Sequence, residues 1–200
     1  MTHHNVDFSK QIETDIDNSF NVRDELKNLT VEELQAVCKN DRLPFSIGLL
    51  NVTGDLNIGV SIRTALLLGA SSVYLFGRRK YDKRSTVGAQ NYIQVNRITY
   101  PDNMDCDIGI YDDLKKLPYT IVLMEHGGYE LQQNNRVFYN QFEQPPIFIL
   151  GSESFGIPEI ILQDKSFYRI SIPQKGVLRS HNVSTAATII MWDFVKEMYI

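Results

Sequence analysis

The chain has little of the chemistry that staples or metallates a fold. Two cysteines, Cys38 and Cys106, stand far apart and outside any metal-ligand spacing. That pattern offers no disulfide framework and reads as two free thiols in a cytoplasmic protein. The four histidines are scattered, so no metal site is expected. No apolar run approaches the roughly 20 residues of a membrane span, and the start of the chain lacks the basic and apolar regions of a signal peptide, so no membrane partner is expected. Gly151 to Gly156 has P-loop spacing, but Ile157-Pro158 stands where Lys-Ser/Thr would bind phosphate and magnesium. No Gly-x-Gly-x-x-Gly follows a strand-like run, which removes the dinucleotide fingerprint. A Gly-x-Ser-x-Gly nucleophile elbow is missing as well.

What is present is an ordinary globular composition of 200 residues with an uneven charge. Residues 1–42 hold nine acids and five bases, whereas 43–200 hold fifteen of each, so the net charge of −4 is an N-terminal property. Within the neutral part, Arg78, Arg79, Lys80, Lys83 and Arg84 form a basic run against Asp82 alone. An acidic total does not exclude nucleic acid, because phosphate contacts need only a local basic surface.

Phe8, Ile12, Ile16 and Phe20 line one helical face. Thr30-Val31-Glu32-Glu33 is a capping box that opens a short helix toward Cys38. Residues 1–42 thus read as an N-terminal helical extension and 43–200 as the main domain. There, strands are predicted at 46–52, 72–76, 92–100 (an edge), 119–124, 147–150 and 167–172. Helices are predicted at 58–68, closed by Gly69, and at 108–117, 158–162 and 183–198, with 127–144 a polar loop holding a helical turn. The alternation predicts an α/β fold with a mostly parallel sheet and helices on both faces. The last helix is apolar on more than one face, through Ile189, Ile190, Trp192, Phe194, Val195 and Met198, which suggests a partner as well as a core.

Three strand-to-helix junctions carry the functional signal, since an open parallel sheet collects ligands there. They contain Asn57, Gly59, Arg63, Thr64 and Ala65; then Gly151, Glu153, Gly156, Ile157 and Pro158; then Ile172, Pro173, Ser180, Asn182, Val183 and Ser184. In order and spacing they resemble the motifs of the SpoU/TrmH branch of the SPOUT RNA 2′-O-ribose methyltransferases, and 82–89 resembles the family's segment after the second strand. The resemblance covers about residues 44–198. One departure is His181, where the third motif usually carries Leu.

The resemblance implies a C-terminal deep trefoil knot, S-adenosyl-L-methionine held in the knotted loops, and a homodimer whose active site is shared between subunits. It implies Arg63, Glu153, Asn182 and Ser180 as catalytic residues, and Met124, Gly151, Ile172, Val177, Ser180 and His181 as the cofactor pocket. RNA contacts are expected from Asn57, Arg63, Arg78, Arg79, Lys80, Lys83, Arg84 and Arg179, with Lys175 extending that surface. Read as structure alone, Arg63 is a solvated helix arginine, Asn182 a helix cap and Glu153 a carboxylate at a helix N-terminus. The short motifs look most like enzymes acting on the D-loop guanosine of tRNA, and the lack of a separate N-terminal RNA-binding domain also points to tRNA. Ribosomal RNA, or a non-catalytic RNA-binding protein on the same fold, are the other readings.

Overall fold

The computed structural model describes residues 22–77, 80–102 and 105–200. The predicted face of Phe8 to Phe20 and the basic residues Arg78 and Arg79 lie outside these. The first helix, α1 (Val31–Asn40), starts at the expected capping box: Glu33 N–H donates to Thr30 Oγ1 at 3.3 Å, and Thr30 N–H donates to the Glu33 carboxylate at 2.7 Å.

Six strands form one sheet: β1 (Leu43–Leu50), β2 (Ala70–Phe76), β3 (Gln94–Ile98), β4 (Thr120–Glu130), β5 (Pro146–Leu150) and β6 (Tyr168–Ser171). Their order is β3-β2-β1-β5-β4-β6, and every pairing is parallel. The interior strand β1 is buried continuously from Phe45 to Leu50, as a strand covered on both faces must be. Between the strands run α2 (Asp55–Leu67), α3 (Cys106–Lys116), α4 (Arg136–Tyr139) and α5 (Glu159–Leu162), and α6 (Val183–Tyr199) follows β6.

Alternation along the strands divides the core in two. Phe45, Ile47, Leu49, Val73, Val122 and Phe148 face α2, α4 and α6. Ile121, Leu123, Ile147 and Ile149 face Ile110 and Leu114 of α3 and Ile161 of α5. Helices therefore cover both faces, as the sequence predicts, and β3 is the expected edge.

Two stretches differ from the sequence reading. β4 does not end at Met124. It pairs with β6 through Met124↔Ile170, loops out, and resumes at Tyr129↔Ile170 and Glu130↔Ser171. Gly127 (φ 75°) gives the loop its left-handed turn, and at Gly128 a Cβ would meet the Arg169 backbone at 2.5 Å. The polar 127–144 stretch also buries Phe138 and Tyr139 of α4 against the core, with the two rings stacked among Tyr129, Phe142 and Phe194. Its asparagine is structural: Asn135 is fully buried and donates to both carboxylate oxygens of Asp193 on α6 at 3.0 Å.

Gly59 lets α2 sit directly on the turn that carries the basic run. A Cβ there would lie 2.2 Å from the Ser85 carbonyl oxygen. Gly59→Ala should force backbone apart, and overpacking of this kind costs about 1–3 kcal/mol. A urea unfolding midpoint unchanged from wild type would show that the turn yields freely.

Candidate functional site

Because every strand is parallel, the loops after β1, β2, β4, β5 and β6 gather at one end of the sheet. The loop after β5 is a tight hairpin. Ser152 and Gly156 exchange both backbone hydrogen bonds, at 3.1 and 3.0 Å. Gly151 is required for it, since a Cβ there would meet the Gly156 carbonyl carbon at 2.1 Å. Phe155 N–H also donates to Ser152 Oγ at 3.1 Å.

This hairpin aims Glu153 at the N-terminus of α2. Its carboxylate accepts from Thr53 N at 3.0 Å, Thr53 Oγ1 at 3.4 Å, Gly54 N at 3.1 Å and Asn57 Nδ2 at 2.9 Å. Gly54 is the residue that caps α2 and offers no side-chain cap of its own, and Glu153 supplies an acceptor to the Thr53 and Gly54 amides from a hundred residues away. Burial is the largest single influence on its pKa and pushes it up. The hydrogen bonds from Asn57, Thr53 and Gly54 together outweigh burial and hold the carboxyl below the usual glutamate value.

Asn57 passes the connection on. Its Oδ1 accepts from Asn182 Nδ2 at 3.0 Å and from Ser184 Oγ at 3.5 Å. Asn182 in turn caps α6, its Oδ1 accepting from Ser184 N at 2.9 Å and Thr185 N at 3.3 Å. One hydrogen-bonded chain, Glu153–Asn57–Asn182–Ser184, thus joins all three motifs. For Asn57, expected at the RNA, the structure gives an internal bridging position. Asn182 is both a cap and a tie.

On one side of Glu153 lies a cleft of about 610 Å³ between the loops after β4, β5 and β6. Met124, Gly151, Ile172, Ser180, His181 and Asn182 line it, as does Arg179. Val177 does not: it is fully solvent-exposed and outside the cleft. Residues 173–182 are exposed along their whole length. Sequence reasoning missed Glu125, His126 and Phe155 on the walls. The first two follow a predicted strand at once, which is the signal that would have found them. His126 Nε2 donates to the Arg179 carbonyl at 2.8 Å, bracing the β4 loop against the β6 loop.

Arg63 is not in this cleft. It lies exposed on α2 and has no hydrogen bond or ion pair among the described residues. Lys80 and Lys83 are likewise exposed and unpaired among those residues. Arg84 differs: its guanidinium grips Asp82, with contacts of 2.6–3.0 Å, and those hydrogen bonds hold the Asp82 carboxyl below its ordinary pKa. Arg84, expected at the RNA, is thus paired within its own turn while remaining exposed.

The sheet, the three tied loops and the cleft define an α/β protein with its site at the carboxyl end of a parallel sheet. The profile of the SpoU rRNA Methylase family matches residues 44–192, and the chain belongs to that family. It is 28% identical over 160 residues to an "uncharacterized tRNA/rRNA methyltransferase" of Archaeoglobus fulgidus, covering 78% of this chain and 66% of that one. A mouse tRNA (guanosine(18)-2′-O)-methyltransferase is 25% identical over 84% of this chain but 11% of its own length. The crystal structure of the SpoU methyltransferase AviRb from Streptomyces viridochromogenes, in complex with its cofactor AdoMet, superposes with a TM-score of 0.56 at 26% identity, covering 78% of this chain and 58% of that one. The chain thus spans less than two thirds of each of these relatives.

Glu153→Gln keeps the shape of the tie and removes its charge. A carboxyl with a lowered folded pKa stabilises fully above the unfolded value, about 4.3, and the contribution is lost as pH falls through the folded one. The stability gap between wild type and Glu153→Gln should be flat from about pH 7 to pH 5 and close at lower pH. Chemical unfolding across that range measures it, and a gap that widens with acid contradicts the assignment.

Proposed function

We propose that the chain transfers a methyl group from S-adenosyl-L-methionine to a ribose 2′-hydroxyl of RNA. The observation that carries this reading is the Glu153–Asn57–Asn182 chain, which ties the three family motifs together at the edge of one cleft. The cleft suits the donor. Its volume is that of a small-molecule site. Met124, Leu150, Ile172 and Val183 supply apolar wall, the Gly151–Gly156 hairpin brings backbone close, and the Glu125 carboxylate complements a cationic ligand. When bound, S-adenosyl-L-methionine supplies a methyl already activated on a sulfonium.

The protein's part is then alignment and charge. Well-oriented reactants reach effective molarities of roughly 10⁵–10⁸ M, so much of the rate comes from holding the 2′-oxygen in line. Glu153, ionised and held by four donors, serves as a positioning residue for the loops rather than as a proton acceptor. The Arg63 guanidinium lowers the pKa of the 2′-hydroxyl while clamping a neighbouring phosphate that takes the proton. Ser180 and His181, on the cleft wall, complete the cofactor contacts.

Arg63 acts on the cleft of a second copy. It sits in an exposed row with Leu56, Val60 and Leu67 on one side of α2, and α6 beside it leaves Trp192 half exposed. An apolar stripe of that kind is covered most simply by a two-fold partner. We read the chain as a homodimer of knotted SPOUT domains (43–200), in the cytoplasm, with α1 before the domain held to it by Gln35 Nε2 donating to the Asn91 carbonyl at 2.8 Å. The hydrogen bond between the β4 and β6 loops at His126–Arg179 is compatible with a threaded chain. Transfer RNA is the favoured substrate, on the alignment with the mouse enzyme. Ribosomal RNA is the second reading, from the family's name.

Arg63→Ala should reduce transfer of tritiated methyl to unmodified tRNA or rRNA transcripts by at least about 100-fold. Calorimetric affinity for S-adenosyl-L-methionine should stay unchanged. Near-normal turnover in that variant sinks the assignment of Arg63, and absence of cofactor binding in the wild type sinks the function.

A further inference from the structure

A second cleft, of about 360 Å³, lies on the other side of Glu153, at the carboxyl ends of β1 and β2. Ser152, Glu153, Ser154 and Phe155 line both clefts, so the hairpin after β5 is a partition with a chamber on each side. The two chambers differ in character. The second has an apolar floor of Val52, Ile58, Leu75 and Phe76, all buried. Its rim carries Asn51, Tyr81, Cys106 and Phe155.

Phe155 is 93% exposed at the tip of the partition. A large apolar ring held that far into water on a hydrogen-bonded hairpin gains nothing from its own chain. The hairpin backbone beneath it is already fixed, so a flat ligand that stacks on it need not order the loop. Asn51 adopts a left-handed conformation (φ 48°), fixed by its N–H to the Phe76 carbonyl at 2.7 Å. One of its amide atoms contacts Cys106 Sγ at 3.7 Å. Whichever way the amide is set, its other atom has no partner among the described residues and remains for a hydrogen-bonding edge. Lys80 and Lys83 flank Tyr81 in sequence and carry unpaired charge among those residues.

Flat apolar faces, one open amide and adjacent cations are the features that recognise an unstacked base of single-stranded RNA. We infer that the second cleft receives the base of the nucleotide whose ribose is methylated, stacked on Phe155 and read at its edge by Asn51, while its sugar rests at the partition facing the first cleft. This rests on the reading of the chain as an RNA methyltransferase, and it adds a specificity pocket to that reading.

The test uses the full-length chain, a pool of unmodified tRNA and rRNA transcripts, and S-adenosyl-L-methionine. Phe155→Ala should raise the KM for RNA about tenfold or more, as loss of one stacked base does. Phe155→Trp should restore the wild-type KM. Cys106→Phe, which fills the cleft from its rim, should raise the RNA KM similarly. An unchanged urea unfolding midpoint shows that both variants are folded. Wild-type KM and kcat in Phe155→Ala and Cys106→Phe overturn the pocket and leave the methyltransferase intact. A loss confined to Phe155→Ala also overturns it, since the ring then acts outside the cleft, as does a fall to monomer in sedimentation. A wild-type chain that neither binds the cofactor nor methylates any transcript removes the function, and the pocket with it.

Discussion

The site depends on one carboxylate. A parallel sheet brings its connecting loops to one end, but it does not set the distances between them. Glu153 does, by accepting four hydrogen bonds from Thr53, Gly54 and Asn57. The donors include the backbone amides of Thr53 and Gly54 at the entry to α2, where Gly54 offers no side-chain cap. An ionised acceptor at a helix N-terminus is favoured by the helix field as well as by the bonds themselves. The same contact closes the crevice between β1 and β5 and leaves one chamber on either side. Asn57 extends it to Asn182, so the entry angle of α6 and that of α2 are set by a common network.

Most of the fold was legible because the strands of a doubly covered sheet are continuous apolar runs and the helices carry caps. Thr30 opened α1 and Gly69 closed α2 where expected. What was hidden has specific physical causes. The loop of β4 at 125–128 breaks the period of two that marks a strand, so its resumption at Tyr129 cannot be seen locally. The 127–144 stretch has a polar average that conceals Phe138 and Tyr139, although those rings are buried. The site shows the same limit. The motifs revealed which residues gather, whereas the partner of each one lies 96 to 127 positions away, as in Asn57–Glu153 and Asn57–Ser184. No local pattern encodes such a contact.

Charge obeys a similar rule. Lys83 and Arg84 are neighbours in one basic run, and sequence treats them alike. Yet Arg84 folds back on Asp82, while Lys83 remains open to solvent among the described residues. A run of cations therefore overstates its capacity for phosphate by the number of its internal pairs. The same reasoning favours Arg63. A solvated helix arginine contributes to its own helix through an acid three or four residues away. Positions 59, 60, 66 and 67 are Gly, Val, Leu and Leu, so α2 offers it none. The helix instead surrounds it with Leu56, Val60 and Leu67, and a cation in an exposed apolar stripe acts most strongly where that stripe is covered.

His181 tests how tightly the cleft constrains its residues. The family pattern favours leucine there, and a core position would punish the change. This one is not a core position: residues 173–182 are exposed along their whole length, and His181 meets the cleft rather than the sheet. Packing within the chain therefore does not select the side chain, and only what enters the cleft can. Asn182, one residue on, is under the opposite pressure, because it caps α6 and holds Asn57 at once. Adjacent residues of one motif thus answer to different masters, one to the ligand and one to the fold. That is why a departure at 181 leaves the architecture of the site intact, whereas the same freedom at 182 would release two helices together.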